Sequence, residues 1–166
     1  MKHTISVLVE NNPGVLSKVS GLFSRRGFNI ESLVVGETED NSISRMTIIV
    51  DGDDYIVEQI EKQLNKLISV IKVKTLGENT FINRMLMLIK VSSTLSQRAE
   101  IIQIADMMGA KVCDVSKDSM ILELCDTSDK CETLQLLLQP FGIRELVRTG
   151  SIAIEKGEIL TKQSYK

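Results

Sequence analysis

The chain has 166 residues, 43% hydrophobic and 25% charged, with a net charge of −2; that suits one ordinary soluble domain or two small ones. A pI near 5.5 gives no electrostatic footprint for nucleic acid. An aromatic share of 4% without Trp leaves no base-stacking platform, and no apolar run reaches the ~18 residues of a membrane helix.

The N-terminal stretch MKHTISVLVENNPG carries one Lys and a short alternating apolar run that ends in a turn. It reads as a strand over 3–9 (HTISVLV), with Ile5, Val7 and Val9 on one face, and not as a signal or transit peptide. Residues 13–26 predict a helix with an apolar stripe of Val15, Leu16, Val19, Leu22 and Phe23. Asn12 is expected as N-cap, Pro13 as the first helical residue and Gly14 as the second. Glycine at that place is odd, since it costs roughly 1 kcal/mol against alanine inside a helix. Gly27 follows Arg25 and Arg26 as a helix stop. Strands over 28–37 and 43–50 flank the polar turn TEDNS and form a hairpin. Asp53 and Asp54 open a second helix with a stripe of Ile56, Val57, Ile60, Leu64 and Leu67, and SVIKVKTL (69–76) closes a βαββαβ unit.

The order then recurs. MLMLIKV (85–91) is a strand, and Thr94 with Gln97 forms a capping box for a helix ending at Met108 and Gly109. KVCDV and SMILELC are strands about a turn at Lys117 and Asp118; a leucine-rich helix over 128–139 stops at Pro140. Residues 143–149 with 151–155 supply the closing strand. The fold class is therefore α+β, two tandem βαββαβ ferredoxin-like units. The expected boundaries are 1–76, a linker at 77–83 around GENT, 84–156, and a frayed polar tail at 157–166.

The catalytic inventory is thin. His3 is the single histidine, no nucleophile elbow surrounds a Ser or Cys, and neither Gly-rich phosphate motif occurs. Cys113, Cys125 and Cys131 lack C-x-x-C spacing, so a zinc site is not expected and idle thiols in a reducing compartment are. The βαββαβ order also serves RNA-binding domains, but the two central strands, TISVLV and SRMTIIV, carry no aromatic residue. An acylphosphatase-like activity would want an arginine in the first loop, and ENNPGV has none.

What remains is the loop Asn11-Asn12-Pro13-Gly14. A helix N-terminus offers free amides and partial positive charge to an anion, and a bare Gly14 would let a carboxylate approach the amides of Gly14 and Val15. Asn11 could add an amide for a ligand's ammonium or carboxylate. The same residues also suit a plain strand-to-helix turn, and RRGFN (25–29) reads either as a solvated helix end or as an interface loop.

The run ISVLVENNPGVLSKVSGLFSRRGFNIESL followed by SRMTIIV, with DVSKDSMILEL and RTGSIAI in the second half, resembles the small regulatory subunits of acetohydroxyacid (acetolactate) synthase. The resemblance covers nearly the whole chain and implies that the first unit is an ACT domain, an effector-binding module. It implies a subunit without an active site or cofactor of its own. The partner would be a catalytic large subunit carrying thiamine diphosphate, Mg²⁺ and FAD, stimulated by this chain and placed under feedback by valine. By position, the effector site would comprise Asn11, Pro13, Gly14, Val15 and Leu16 of one ACT unit, with Asn29 and Ile30 on the second strand of its neighbour. Leu16 and Ile30 would face an aliphatic side chain; valine, leucine and isoleucine all remain open as effectors. A homodimer is expected, because side-by-side pairing of ACT sheets removes an exposed edge. The second unit's loop, VSSTLSQRAE, lacks the Pro-Gly step, so no second effector site is expected there. A stand-alone amino-acid sensor is the alternative. A cytoplasmic location is expected, or a plastid stroma for an organelle-encoded chain.

Overall fold

The computed structural model describes residues 1–161. The chain divides into two compact units, Met1–Ile82 together with the segment from Ile152, and Asn83–Ser151.

In the first unit, β1 (Lys2–Glu10), α1 (Val15–Arg26), β2 (Ile30–Glu37), β3 (Ile43–Asp51), α2 (Asp54–Leu64) and β4 (Val70–Leu76) follow in βαββαβ order. The four strands form one antiparallel sheet in the order β2-β3-β1-β4. Ile5 lies opposite Ile48, and Val7 opposite Met46. These residues join Val9, Val50 and the buried stripes of α1 and α2 (Val15, Val19, Leu22, Phe23, Val57, Ile60, Leu64) in one core. Burial of such side chains contributes about 1.5–3 kcal/mol each. Asp53 caps α2 through a 2.9 Å bond from the Ile56 amide to its Oδ1. Gly27 ends α1 at φ 71°, the left-handed stop that its position predicts.

Two expectations at the start of α1 are corrected. The helix begins at Val15, two residues later than expected, so Asn12 is not its N-cap and Gly14 is not inside it. Gly14 itself is the N-cap, at φ 84° and ψ −6°. The Val15 amide donates to the Asn12 carbonyl at 3.3 Å, and Pro13 followed by a residue near φ +80°, ψ 0° is a type II turn. Leu16 is the second correction. It is 46% exposed and absent from the core, because Val15 takes the inward direction and the next residue lies about 100° further round the helix.

The other sheet face carries Ser6, Leu8, Thr47 and Lys74. Ser6, Leu8 and Thr47 are buried. Lys74 there holds Glu155 at 2.7 Å, and the Glu155 side chain is only 5% exposed.

The second unit is built from most of β5 (Phe81–Ser92), with α3 (Arg98–Met108), β6 (Lys111–Val115), β7 (Ser119–Asp126), α4 (Ser128–Leu138) and β8 (Ile143–Arg148). Its strand order, β6-β7-β5-β8, repeats that of the first unit. Met87, Ile89 and Val91 pack against Ile101, Ala105, Leu134 and Leu138. The expected closing strand is two strands: β8 and, after a break, β9 (Ile152–Glu155), which also pairs with β5. β5 already begins at Phe81. Gln97 does reach back to the Thr94 amide (3.1 Å), but regular α3 starts one residue after it. Of the tail expected to fray, residues 162–166 lie outside the described residues; within the rest, Thr161 is buried while Ile159 and Leu160 are exposed. Among the described residues no helix is long and apolar enough to cross a membrane.

Candidate functional site

The loop after β1 is tied to the β2–β3 hairpin. The Asn11 amide donates to the Ser42 carbonyl at 2.8 Å. The Asn11 side-chain Nδ2 donates to the Asn41 carbonyl at 2.8 Å and to Glu37 Oε1 at 3.1 Å. Asn12 Nδ2 donates to Glu10 Oε2 at 3.0 Å. These bonds hold the chain where it enters the type II turn and hands over to α1.

Past the turn, the first helical bond runs from the Lys18 amide to the Gly14 carbonyl at 3.0 Å. No side chain caps α1. Among the described residues the amides of Gly14, Leu16 and Ser17 meet no acceptor, so they carry the partial positive charge of the helix terminus at the surface. A Cβ on Gly14 would meet nothing within 4 Å, so the space beside Gly14 itself is open. Val15 anchors the turn in the core, and exposed Leu16 stands beside it.

Asn29 is exposed and immediately precedes β2; Ile30, its first residue, packs partly against the core. Within one chain these two lie far from the loop. Ile30 pairs with Val50, which pairs with His3 at the start of β1, whereas the loop follows Glu10 at its other end. Seven residues of strand separate the two rows, roughly 23 Å at 3.3 Å per residue. A single chain therefore brings Asn11, Pro13, Gly14, Val15 and Leu16 together and leaves Asn29 and Ile30 at the far end of the sheet. Glu37 and Asn41, which orient Asn11, were not foreseen from sequence; only the hairpin register carries them there.

Elsewhere the chemistry is sparse. His3 Nε2 is buried without a hydrogen-bond partner, 4.0 Å from Asp54 Oδ1, at a cleft of about 470 Å³ that Lys2, Gly77, Asn79 and Phe81 also line. Among the described residues no group of three His, Cys, Asp or Glu side chains could hold a metal ion. Cys113 and Cys125 are exposed, and Cys131 is buried. The Cys113 thiol donates to Glu123 Oε2 at 3.3 Å, and that contact holds its pKa above the usual thiol value. In the second unit the equivalent loop is braced differently: Arg98 at the start of α3 donates to the carbonyls of Ser116 and Lys117.

A family model described as an AHAS small subunit-like ACT domain matches residues 5–72, and one described as the small subunit of acetolactate synthase matches 84–157. The chain is 52% identical over 157 residues to a probable acetolactate synthase small subunit of Archaeoglobus fulgidus, covering 95% of this chain and 98% of that one. It belongs to the acetolactate synthase small-subunit family. Another family member, from Mycolicibacterium smegmatis, is 50% identical over 155 residues, covering 93% and 91% of the two chains. The crystal structure of the Thermotoga maritima small subunit superimposes with a TM-score of 0.89 at 40% identity, over 96% of this chain and 99% of that one. The first βαββαβ unit is thus an ACT domain, and the family's two-unit architecture spans the chain.

Proposed function

We propose that this chain is the regulatory subunit of an acetolactate synthase, which raises the activity of a catalytic large subunit and makes it sensitive to valine. Thiamine diphosphate, Mg²⁺ and FAD belong to the large subunit in this reading. The effector sits between two ACT units, its carboxylate on the amides of Leu16 and Ser17 and its side chain against Leu16 and the partner's Ile30.

The observation that carries this reading is the separation of the two half-sites along the sheet. β2 is an edge strand, with unpaired backbone groups available to a second chain. When two copies pair β2 to β2 antiparallel about a two-fold axis, the start of one strand lies beside the end of the other. Asn29 and Ile30 of one copy then approach the Glu37 end, and so the Asn11–Leu16 loop, of its mate. The pairing that closes the sheet edge is also the one that completes the pocket. Exposed Leu16 and Val35, 46% and 40% accessible, would lie in that interface.

The test is reconstitution with the catalytic subunit, measuring acetolactate. The chain alone should form none; added to the large subunit it should raise turnover to a plateau, and valine should lower it again. Stimulation without any response to branched-chain amino acids removes the effector half of the proposal. Valine binding without stimulation identifies a stand-alone sensor instead.

A further inference from the structure

We infer that Glu37 is a positioning residue that sets Asn11 to recognise an ammonium group, so that the site accepts an amino acid and discriminates against the 2-oxo acid of the same carbon skeleton. The inference rests on the effector site proposed above. Asn11 has one amide nitrogen with two N–H groups, and both are engaged: one by the Glu37 carboxylate at 3.1 Å, the other by the Asn41 carbonyl at 2.8 Å. Neither partner can donate a hydrogen bond in return. A flipped amide would set Asn11 Oδ1 against two acceptors, so the orientation is fixed by chemistry and not by choice. Asn11 Oδ1 is then turned away from the hairpin, and among the described residues nothing donates to it.

The loop therefore presents two kinds of group. The start of α1 offers donors, and Asn11 Oδ1, backed by the Glu37 charge, offers an acceptor. An α-amino acid matches both, with a carboxylate for the donors and an ammonium for the acceptor. A 2-oxo acid of the same skeleton matches only the donors and brings a carbonyl oxygen against Asn11 Oδ1.

Full-length wild type, Glu37→Ala and Glu37→Gln are titrated by calorimetry with valine and with 3-methyl-2-oxobutanoate. Glu37→Ala removes one of the two acceptors that hold the Asn11 amide, together with the charge behind Oδ1, and leaves only the Asn41 carbonyl. Valine affinity should fall by about tenfold or more, the worth of one hydrogen bond to a charged group. Oxo-acid binding should stay level or tighten. Glu37→Gln keeps an acceptor for Asn11 Nδ2 but loses the charge, and its valine affinity should fall between those of wild type and Glu37→Ala. Glu37 is exposed, so melting temperatures should change little and serve as the check on folding. An unchanged ratio of valine to oxo-acid affinity in Glu37→Ala, or a Gln variant as impaired as Ala, overturns the role of Glu37 alone. Wild type that binds no branched-chain amino acid overturns the effector site and this inference with it.

Discussion

Replacing Gly14 by asparagine and by aspartate separates two demands on a bare backbone at the head of α1. The φ of 84° is the first demand. A left-handed conformation costs an ordinary L-residue about 1–2 kcal/mol, of which a stiffer unfolded chain returns about 0.4–1 kcal/mol. Gly14→Ala should therefore destabilise the first unit by about 1 kcal/mol, or about 4–8 °C in melting temperature for a unit of this size. No clash adds to that, since the new Cβ meets nothing within 4 Å. Asparagine and aspartate tolerate this region better than alanine, and the two are nearly the same size. Their difference isolates charge, which is the second demand. A ligand carboxylate on the Leu16 and Ser17 amides would lie roughly 4 Å from an aspartate at 14. The repulsion is about 4 kcal/mol at an effective dielectric near 20, and about 1 kcal/mol if the pair stays fully hydrated. Valine affinity, measured by calorimetry, should thus drop between Gly14→Asn and Gly14→Asp by at least about fivefold and at most about a thousandfold. Equal valine affinity in the two variants, within a factor of two, would refute the placement of the carboxylate at these amides.

Two other predictions concern stability and reactivity. Lys74→Met leaves the Glu155 carboxylate, 5% exposed, without its cation; urea unfolding should show a loss of about 3 kcal/mol, and Lys74→Met with Glu155→Leu should recover most of it. The Cys113 thiol has its pKa raised, first by its hydrogen bond to Glu123 and then by desolvation and the carboxylate's charge. Less of it is thiolate at pH 8 than for an ordinary cysteine, so iodoacetamide should label it slowly despite its exposure. Glu123→Gln removes the charge and should speed labelling by several-fold, followed by mass spectrometry; an unchanged rate contradicts the assignment.

The two sheets and four helices were legible because alternation and 3.6-residue periodicity are local signals, and this chain states them twice. Sequence and structure differ at Pro13-Gly14-Val15-Leu16. Proline is common as the first residue of a helix, but Pro-Gly is equally the centre of a type II turn. Inside a helix Gly14 has no rationale; its φ of 84° supplies one that no propensity scale contains. Periodicity alone puts Leu16 in the apolar stripe, since two adjacent hydrophobic residues cannot be ranked for burial without the helix's rotation. Glu37 lies 26 residues from Asn11 and meets it only through the β1–β3 and β2–β3 registers. No sequence window holds that contact, and the orientation of the Asn11 amide is set by it. The separation of Ile30 from the loop was legible only as an implication of the family, and the register explains it physically.

The Lys74–Glu155 pair joins residues 81 positions apart. Because the segment from Ile152 belongs to the first unit, that unit is discontinuous in sequence, with the whole of the second interposed. On a ribosome adding 5–20 residues per second, the ACT domain would wait roughly four to sixteen seconds between completing β4 and receiving Glu155. During that interval the face bearing Ser6, Leu8 and Lys74 lacks its counterion, and closing so long a loop also slows folding in free solution. A fragment cut after the fourth strand would stay in that interim state, with Lys74 lacking its Glu155 partner. The order of synthesis thus leaves Lys74 waiting for a counterion that arrives only after the whole second unit has been made.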